Sequence, residues 1–553
     1  MKVKFLLFLL FSILTLTAGA VKAKPGLVDF TQPDGSVIKI LLHGDERFHY
    51  TTDPSGRLMH FSASGRLDYA PADLSIKTLQ AQASTSTRGA EPKYRYTNSA
   101  FPTTGTPHSL VVLVEYQDYG FSIDDPLEYY EDFLNGDNFT RNGGTGSCRQ
   151  YFIENSKGEF QPTFDVYGPV KLKNKRVFYG GGREDNAKYM VVEAVEALDD
   201  LVDFSQYDHN GDGYVDSIYI IYAEKGEASG GPSESVWPYS FELEEEDVDL
   251  WADGVKFNTY GCSNELNGGG GMEGIGTFTH EFGHVLGLPD LYNTERASDN
   301  TTPGYWSVMD CGNYNNDNRT PCNMSSFERY SLGWLVPEEI VCTREYSLAS
   351  LPEQNAAFIM TTESKPDEFF ILEYRRQEGW DKYLPSHGML IWHIDFHQML
   401  WDWNEPNNVP NHQRVDLLRA DNTKDMKSYG GDPFPGNGNV TVFSTETEPA
   451  LLSWNKEKLN VTSLSNIREE DDICMFEAVV TEEREPSTST GGIREDFFRD
   501  DVLIFTVGNT VHVREGEYPV YDLSGRKVGT VNGKSPITLN TGFYIIAGKK
   551  IFI

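Results

Sequence analysis

HEFGHVLGLPD, residues 280–290, sets two histidines four apart with a glutamate directly after the first, then closes on Gly287, Leu288 and Pro289. On a helix, residues four apart lie on one face about a turn from each other, so His280 and His284 can each direct a ring nitrogen at one ion. Glu281 then stands beside the ion without being forced to ligate it. Catalytic zinc takes three protein ligands and keeps a position for water, whose pKa it lowers to about 7. A carboxylate next to that water takes its proton as it attacks a carbonyl and delivers it to the leaving amine. Glu281 fits that role.

A bare H-E-x-x-H also arises by chance in amphipathic helices, so its surroundings matter. Gly287 suits the left-handed conformation that ends a helix, and Pro289 prevents its resumption. The chain can therefore turn sharply and return Asp290 to the ion as a third ligand. Glu295 and Glu328, further downstream, are the competing carboxylates. Nineteen residues past Asp290, GYWSVMDCGNY places Met309 in a turn-like setting that could lie beneath the site.

The chain of 553 residues, 39 % apolar and 13 % aromatic, is long enough for three or four units with separate cores. Its start, MKVKFLLFLLFSILTLTAGA, sets Lys2 and Lys4 before an apolar run and small residues Ala18, Gly19 and Ala20, the pattern of an export signal over residues 1–20. The run is shorter than the ~20 residues a membrane-spanning helix needs, and no other stretch could span a bilayer. The 83 acidic against 47 basic residues, net −36, disfavour nucleic acid and anionic membrane surfaces as partners. Six cysteines at 148, 262, 311, 322, 342 and 474 allow up to three bridges outside the cytoplasm, with Cys311–Cys322 the preferred pair. None has the C-x-x-C spacing of a zinc knuckle, so a metal site is sought among histidines and carboxylates.

Residues 21–100 alternate short strand-like runs with Asp-Gly and Ser-Gly turns, then pass into a polar linker whose Arg88, Lys93 and Arg95 are candidate cleavage points. Residues 101–339 alternate strands such as SLVVLVEYQD and SIYIIYA with helical stretches such as VVEAVEALDDL, the pattern of an α/β catalytic unit. In 340–482, FFILEYRR, GMLIWHIDF and MFEAVVT are strand-like, as in a β-sandwich or jelly roll. A second polar linker, 483–499, precedes a small terminal β unit, 500–553. The fold class expected is thus multidomain, an α/β (α+β) unit carrying the two-histidine helix and flanked by β-rich modules.

HEFGHVLGLPDLY, with YWSVMDCGNY and SFERYSLGW after it, closely resembles the immune-inhibitor-A-like family of secreted bacterial metallopeptidases, a group similar to the metzincins. The likeness extends through SCRQYFIENSKGEFQPTFDVYGPV and YDHNGDGYVDSIYIIYA upstream and ILEYRRQEGWDKYLPSHGMLIWHID downstream. It implies a zinc endopeptidase with His280 and His284 as ligands, Glu281 as general base, and a latent precursor in which 21–100 acts as propeptide. Metzincins usually carry a third histidine where this chain has Asp290. They also place a tyrosine two residues after the turn methionine, whereas Tyr314, the candidate oxyanion stabiliser here, lies five beyond Met309. With no cysteine before Cys148, latency would draw on Asp45 or His43 instead of a thiolate.

DHNGDGYVD places Asp208, Asn210, Asp212 and Asp216 at positions 1, 3, 5 and 9 of a calcium-loop pattern, with Gly213 at the sharp turn. Tyr219 stands at position 12 where a full EF-hand has glutamate, and an Asx-turn without metal is the alternative. Trp380, Trp392, Trp401 and Trp403 crowd the β module, as core or as a stacking surface. The end of the chain resembles the sorting domains of type IX secretion substrates, through Tyr521 to Val528 and Gly542 to Ile553, which implies outer-membrane secretion machinery as a partner. The expectation is a secreted, monomeric, zinc- and calcium-binding endopeptidase acting on proteins and peptides. The rivals are an adhesin or glycan binder using the tryptophans, and a zinc hydrolase of non-peptide acyl groups.

Overall fold

The computed structural model describes residues 19–20, 23–32, 34–44, 49–61, 66–70, 101–180, 186–295, 301–362, 365, 367–424 and 428–483, with strand segments between 504 and 552. The expected export signal up to residue 18, the linkers at 71–100 and 484–499, and Asp45 lie outside the described residues. The chain divides into two compact units between Pro486 and Ser487.

The first unit begins with a five-stranded antiparallel sheet in sequence order: β1 (Leu27–Thr31), β2 (Val37–Gly44), β3 (His49–Thr52), β4 (Leu58–Phe61) and β5 (Leu67–Tyr69). Val28, Phe30, Ile40 and Leu67 form its small core. It sits against the following domain. The Lys24 N–H donates to the Ala228 carbonyl at 3.1 Å, Lys24 pairs with Asp317, and Val28 packs over Gly230.

A parallel sheet then forms from β6 (His108–Glu115), β7 (Thr163–Lys171), β8 (Ile218–Lys225) and β10 (Thr259–Leu266), in the order β10-β8-β6-β7. Strand β9 (Tyr239–Glu242) adds antiparallel to β10, and the pair Gly19–Ala20 lies beyond β9. The runs SLVVLV and IYIIYA lack polar alternation because both faces of the sheet are covered. Leu110, Val112, Val114, Ile218 and Ile220 enter one core with the helix α3 (Lys188–Leu198). Val111, Leu113, Tyr219 and Ile221 enter another with α1 (Pro126–Asn135), α2 (Cys148–Asn155) and α4 (Ile275–Val285). Asp125 and Ser147 cap α1 and α2 by accepting the N–H groups of Glu128 and Gln150 at 3.1 and 3.2 Å.

Downstream, one sheet holds β11 (Glu338–Glu339), β13 (Phe358–Thr361), β14 (Glu368–Arg375), β15 (Gly388–Asp395) and β16 (Val415–Leu418) in that order. A second sheet holds β12 (Arg344–Ala349), β19 (Ile473–Val480), β18 (Val461–Glu470) and β17 (Phe443–Ser444). Phe370, Leu372, Met389 and Ile391 of the first meet Leu348, Leu464, Phe476 and Ala478 of the second. The alternate residues, Ile371, Leu390, Trp392, Ile394 and Leu417, point the other way, into the core that contains Phe282 and Met309. The boundary expected at 339/340 therefore falls inside a continuous core. Buried ions also cross it. Arg375 donates to the Asn323 carbonyl at 3.0 Å while pairing with Glu373 and Asp381, and Arg329 donates to the side-chain oxygens of Asn155 and Asn355.

The second unit has an antiparallel sheet of Ile504–Val507, Thr510–Val513 and Ile537–Thr538. A four-stranded one joins Lys527–Asn532, Glu517–Asp522, Phe543–Ile546 and Lys549–Phe552. One sequence expectation is corrected. All six cysteines are free, so Cys311 and Cys322 are not bridged; both are buried, and the Cys311 thiol faces the Asp310 carboxylate at 3.3 Å. Trp380, Trp392 and Trp401 are buried in the shared core, which removes them from any sugar-stacking surface. No described helix is long and apolar enough to cross a membrane.

Candidate metal centre

Helix α4 is buried along its whole length. Phe278 and Phe282 stack at 5.7 Å on its sheet-facing side, with Phe164 edge-on to both, and this seats the helix against β7 and β8. The opposite side of the helix carries the histidines. Gly283, between them, is required by packing, because a Cβ there would stand 2.6 Å from the sulfur of Met309. Met309 thus lies directly under the helix, as its turn setting suggested.

The helix ends where the sequence indicated. Gly287 has φ +98°, its N–H donates to the His284 carbonyl at 2.9 Å, and the Leu288 N–H donates to the Gly283 carbonyl at 2.9 Å. These bonds satisfy the last carbonyls and turn the chain back across the helix end. The Leu291 N–H then donates to the Met309 carbonyl at 2.8 Å, which pins the returning strand to the methionine turn.

The turn brings three ligand atoms together. His280 Nδ1 donates to the Val308 carbonyl and His284 Nδ1 to the Leu288 carbonyl, each at 2.8 Å. A carbonyl can only accept, so both rings carry their proton on Nδ1 and present an Nε2 lone pair. Asp290 Oδ1 lies 3.1 Å from His280 Nε2 and 3.3 Å from His284 Nε2, and it receives no hydrogen bond. Atoms bonded to zinc at about 2.0–2.1 Å at the corners of a tetrahedron stand about 3.3–3.4 Å apart. The donor set of two imidazoles and one carboxylate therefore fits zinc in type and in spacing. Burial works to raise the Asp290 carboxyl; in the metal-free protein His284 and His280, when protonated, outweigh that and hold it well below the usual carboxylate range.

His280, His284 and Asp290 form the single cluster of three or more metal-capable side chains among the described residues. The competing carboxylates are elsewhere. Glu328 closes a capping box with Ser325 at the start of α5 (Ser326–Ser331) and accepts the Ser307 hydroxyl at 2.5 Å, while Glu295 is exposed. Glu281 is fully buried beside the cluster. Tyr314 is buried in the turn Cys311–Tyr314. Burial raises its phenol well above the ordinary range, and Glu273, Cys311 and Glu281 push it the same way. His43 is turned to its own sheet, stacked on Tyr50 and bonded to Thr52 at 2.9 Å.

The calcium-loop residues are engaged differently. Asp208 accepts the N–H groups of Gly211, Asp212 and Gly213, Asn210 that of Asp212, and Asp212 that of Tyr214, all at 2.8–3.1 Å. This is the hydrogen bonding of successive Asx-turns, and it does not gather Asp208, Asp212 and Asp216 into a metal-capable cluster. Asp216 is buried and bonded to His209 at 2.7 Å; burial, against the pull of that histidine, pushes its carboxyl up to about 6. Tyr219, at the twelfth position, is buried in the sheet.

One residue at the centre had no sequence signal. Asn404, 114 positions beyond Asp290, contacts both its backbone and its carboxylate at 2.6 Å.

Residues 108–335 match the model of the immune inhibitor A peptidase M6 catalytic domain. The pre-pro-metalloprotease PrtV of Vibrio cholerae serotype O1 is 27 % identical over 298 residues, covering 45 % of this chain and 31 % of that protein. Immune inhibitor A of Bacillus thuringiensis subsp. alesti is 29 % identical over 253 residues, covering 37 % and 36 %. The chain spans about a third of the length of these curated relatives. Residues 108–335, which carry the two-histidine helix and the methionine turn, are thus similar to the immune inhibitor A peptidase M6 catalytic domain.

Proposed function

We propose that this chain is an exported zinc endopeptidase. The observation that carries the reading is the spacing of Asp290 Oδ1 from the two Nε2 atoms, 3.1 and 3.3 Å, with both imidazoles held in the ligating tautomer by backbone carbonyls. His280, His284 and Asp290 would hold the metal. Zinc there supplies an acidified water and polarises the substrate carbonyl.

The chain's own groups do the rest. Glu281, next to His280 and fully buried, takes the proton of the attacking water and delivers it to the departing amine. The Val308 and Leu288 carbonyls fix the two rings, so the ligands need no reorganisation as the reaction proceeds. Tyr314, whose phenol burial holds protonated, would donate to the developing oxyanion. Residues 21–100 act as a propeptide, with Lys24 docked on Ala228 and Asp317 and Val28 on Gly230.

Glu281→Gln tests the reading. The variant should keep one zinc per chain, because the residue is not a ligand, and lose about 10²- to 10⁴-fold or more in casein cleavage. Near-normal cleavage by this variant would remove Glu281 from the chemistry, and cleavage by the parent enzyme in excess zinc chelator would remove the metal.

A further inference from the structure

We propose that Asn404, from the loop that follows the downstream helix α6 (Gln398–Asp402), is a positioning residue of the metal centre: it selects which carboxylate oxygen of Asp290 faces the histidines. The inference rests on Asp290 being a ligand.

The geometry assigns the two ends of the amide. The Asp290 backbone N–H donates to Asn404 Oδ1 at 2.6 Å, and only an oxygen can accept it. The other end must then be the NH₂ group, and it donates to Asp290 Oδ2 at 2.6 Å. With Oδ2 so engaged, Oδ1 is the oxygen left 3.1 and 3.3 Å from the two Nε2 atoms. One side chain thus reads both the backbone and the carboxylate of the same residue, and this fixes the Asp290 rotamer.

The loop itself is held on rigid elements. Trp401 buries α6 against Phe327 and Phe396, and the Asn404 N–H donates to the Trp401 carbonyl at 2.8 Å. Asn404 has φ +56°, a conformation that asparagine tolerates better than most residues, and its side chain is fully buried. Asn407 bonds both backbone groups of Val415 at 3.0 Å, which ties the loop to β16, and donates to the Leu291 carbonyl at 2.7 Å. Asn408 accepts the Thr294 N–H at 2.8 Å. Three asparagines of NEPNN, residues 404–408, therefore grip the segment 290–294 from the downstream sheet. The sheet beyond residue 340 is part of the metal centre. Partners that orient a ligand typically change metal affinity by about 10- to 100-fold when removed.

The experiment titrates zinc into metal-free protein against a competing chromophoric chelator, with circular dichroism confirming the fold of each variant. Asn404→Ala should weaken zinc about 10- to 100-fold. Asn404→Asp keeps the shape, the left-handed conformation and the acceptor for the Asp290 N–H, but sets an oxygen against Asp290 Oδ2. It should weaken zinc at least as much as Asn404→Ala. If Asn404 serves the turn alone, Asn404→Asp will bind zinc like the parent, and the proposal is overturned. In an Asp290→Ala background, Asn404→Ala should cost nothing further; additive losses would equally overturn it. Asp290→Ala that binds zinc at parental affinity would instead refute the ligand assignment beneath the proposal, so the two failures are told apart.

Discussion

Gly283→Ala is the sharpest test of how the helix and the methionine turn are fitted together. At an exposed helical position this change stabilises by about 0.8–1 kcal/mol, since alanine loses less backbone freedom on folding. At Gly283 the added Cβ would meet Met309 Sδ at 2.6 Å, Met309 Cε at 3.3 Å and Leu288 Cδ1 at 3.9 Å. The first contact is about 1 Å inside the separation at which carbon and sulfur attract. Overpacking of this kind costs about 1–3 kcal/mol, so the helical gain is cancelled and the net expectation is a loss of up to about 2 kcal/mol. Relief by shifting Met309 is not free. Its carbonyl accepts Leu291 next to Asp290, and the preceding carbonyl of Val308 accepts His280 Nδ1. The variant should therefore weaken zinc as well as destabilise the fold. Urea unfolding of metal-free parent, Gly283→Ala, Met309→Ala and the double variant isolates the contact. In the Met309→Ala background the obstructing sulfur is gone, and Gly283→Ala should become neutral or stabilising. A stability gain of about 0.5–1 kcal/mol from Gly283→Ala in the parent, the ordinary helical value, would refute the packing argument.

Removing residues up to the linker between Arg88 and Arg95 should raise peptide cleavage sharply if residues 27–69 are a docked propeptide; equal rates before and after trimming would sink the latency reading. Asp432 gives a pH signature. Burial pushes its carboxyl up to about 7 against the pull of Arg419 and of the Trp306 N–H that it accepts at 2.8 Å. A carboxyl raised on folding binds more protons in the native state, so its contribution is present below the unfolded value of about 3.9 and is lost as pH rises through about 7. Between pH 5 and pH 8 the parent should lose about 2–3 kcal/mol relative to Asp432→Asn in chemical unfolding of the metal-free proteins. Parallel pH dependences would show that Asp432 is not held protonated.

Much of the centre was legible because its chemistry is local. The four-residue spacing of His280 and His284, the stop at Gly287 and the return of Asp290 all lie within eleven residues, where helical geometry and the left-handed glycine leave few alternatives. The parallel sheet was legible from its unbroken apolar runs. The same signal misled further on. FFILEYRR and GMLIWHIDF read as strands of a separate sandwich, yet their runs are continuous because one face packs on the second sheet and the other on the catalytic core. A one-dimensional pattern registers that both faces are buried without naming what buries them. Cysteine count and spacing likewise could not tell that Cys311 and Cys322 stay free. Acidic alternation in DHNGDGYVD could not choose between a calcium loop and the Asx-turns whose N–H groups occupy Asp208. Asn404 is the clearest case. Its contact with Asp290 bridges 114 positions and exists only because Trp401 anchors α6 and Asn407 ties the loop to β16. The sequence by itself determined which atoms could hold a metal, since ligand type and helical period are properties of neighbours in the chain. Only the tertiary structure decided which oxygen of Asp290 faces the two histidines, because the other oxygen is held by a side chain from a loop of the downstream sheet.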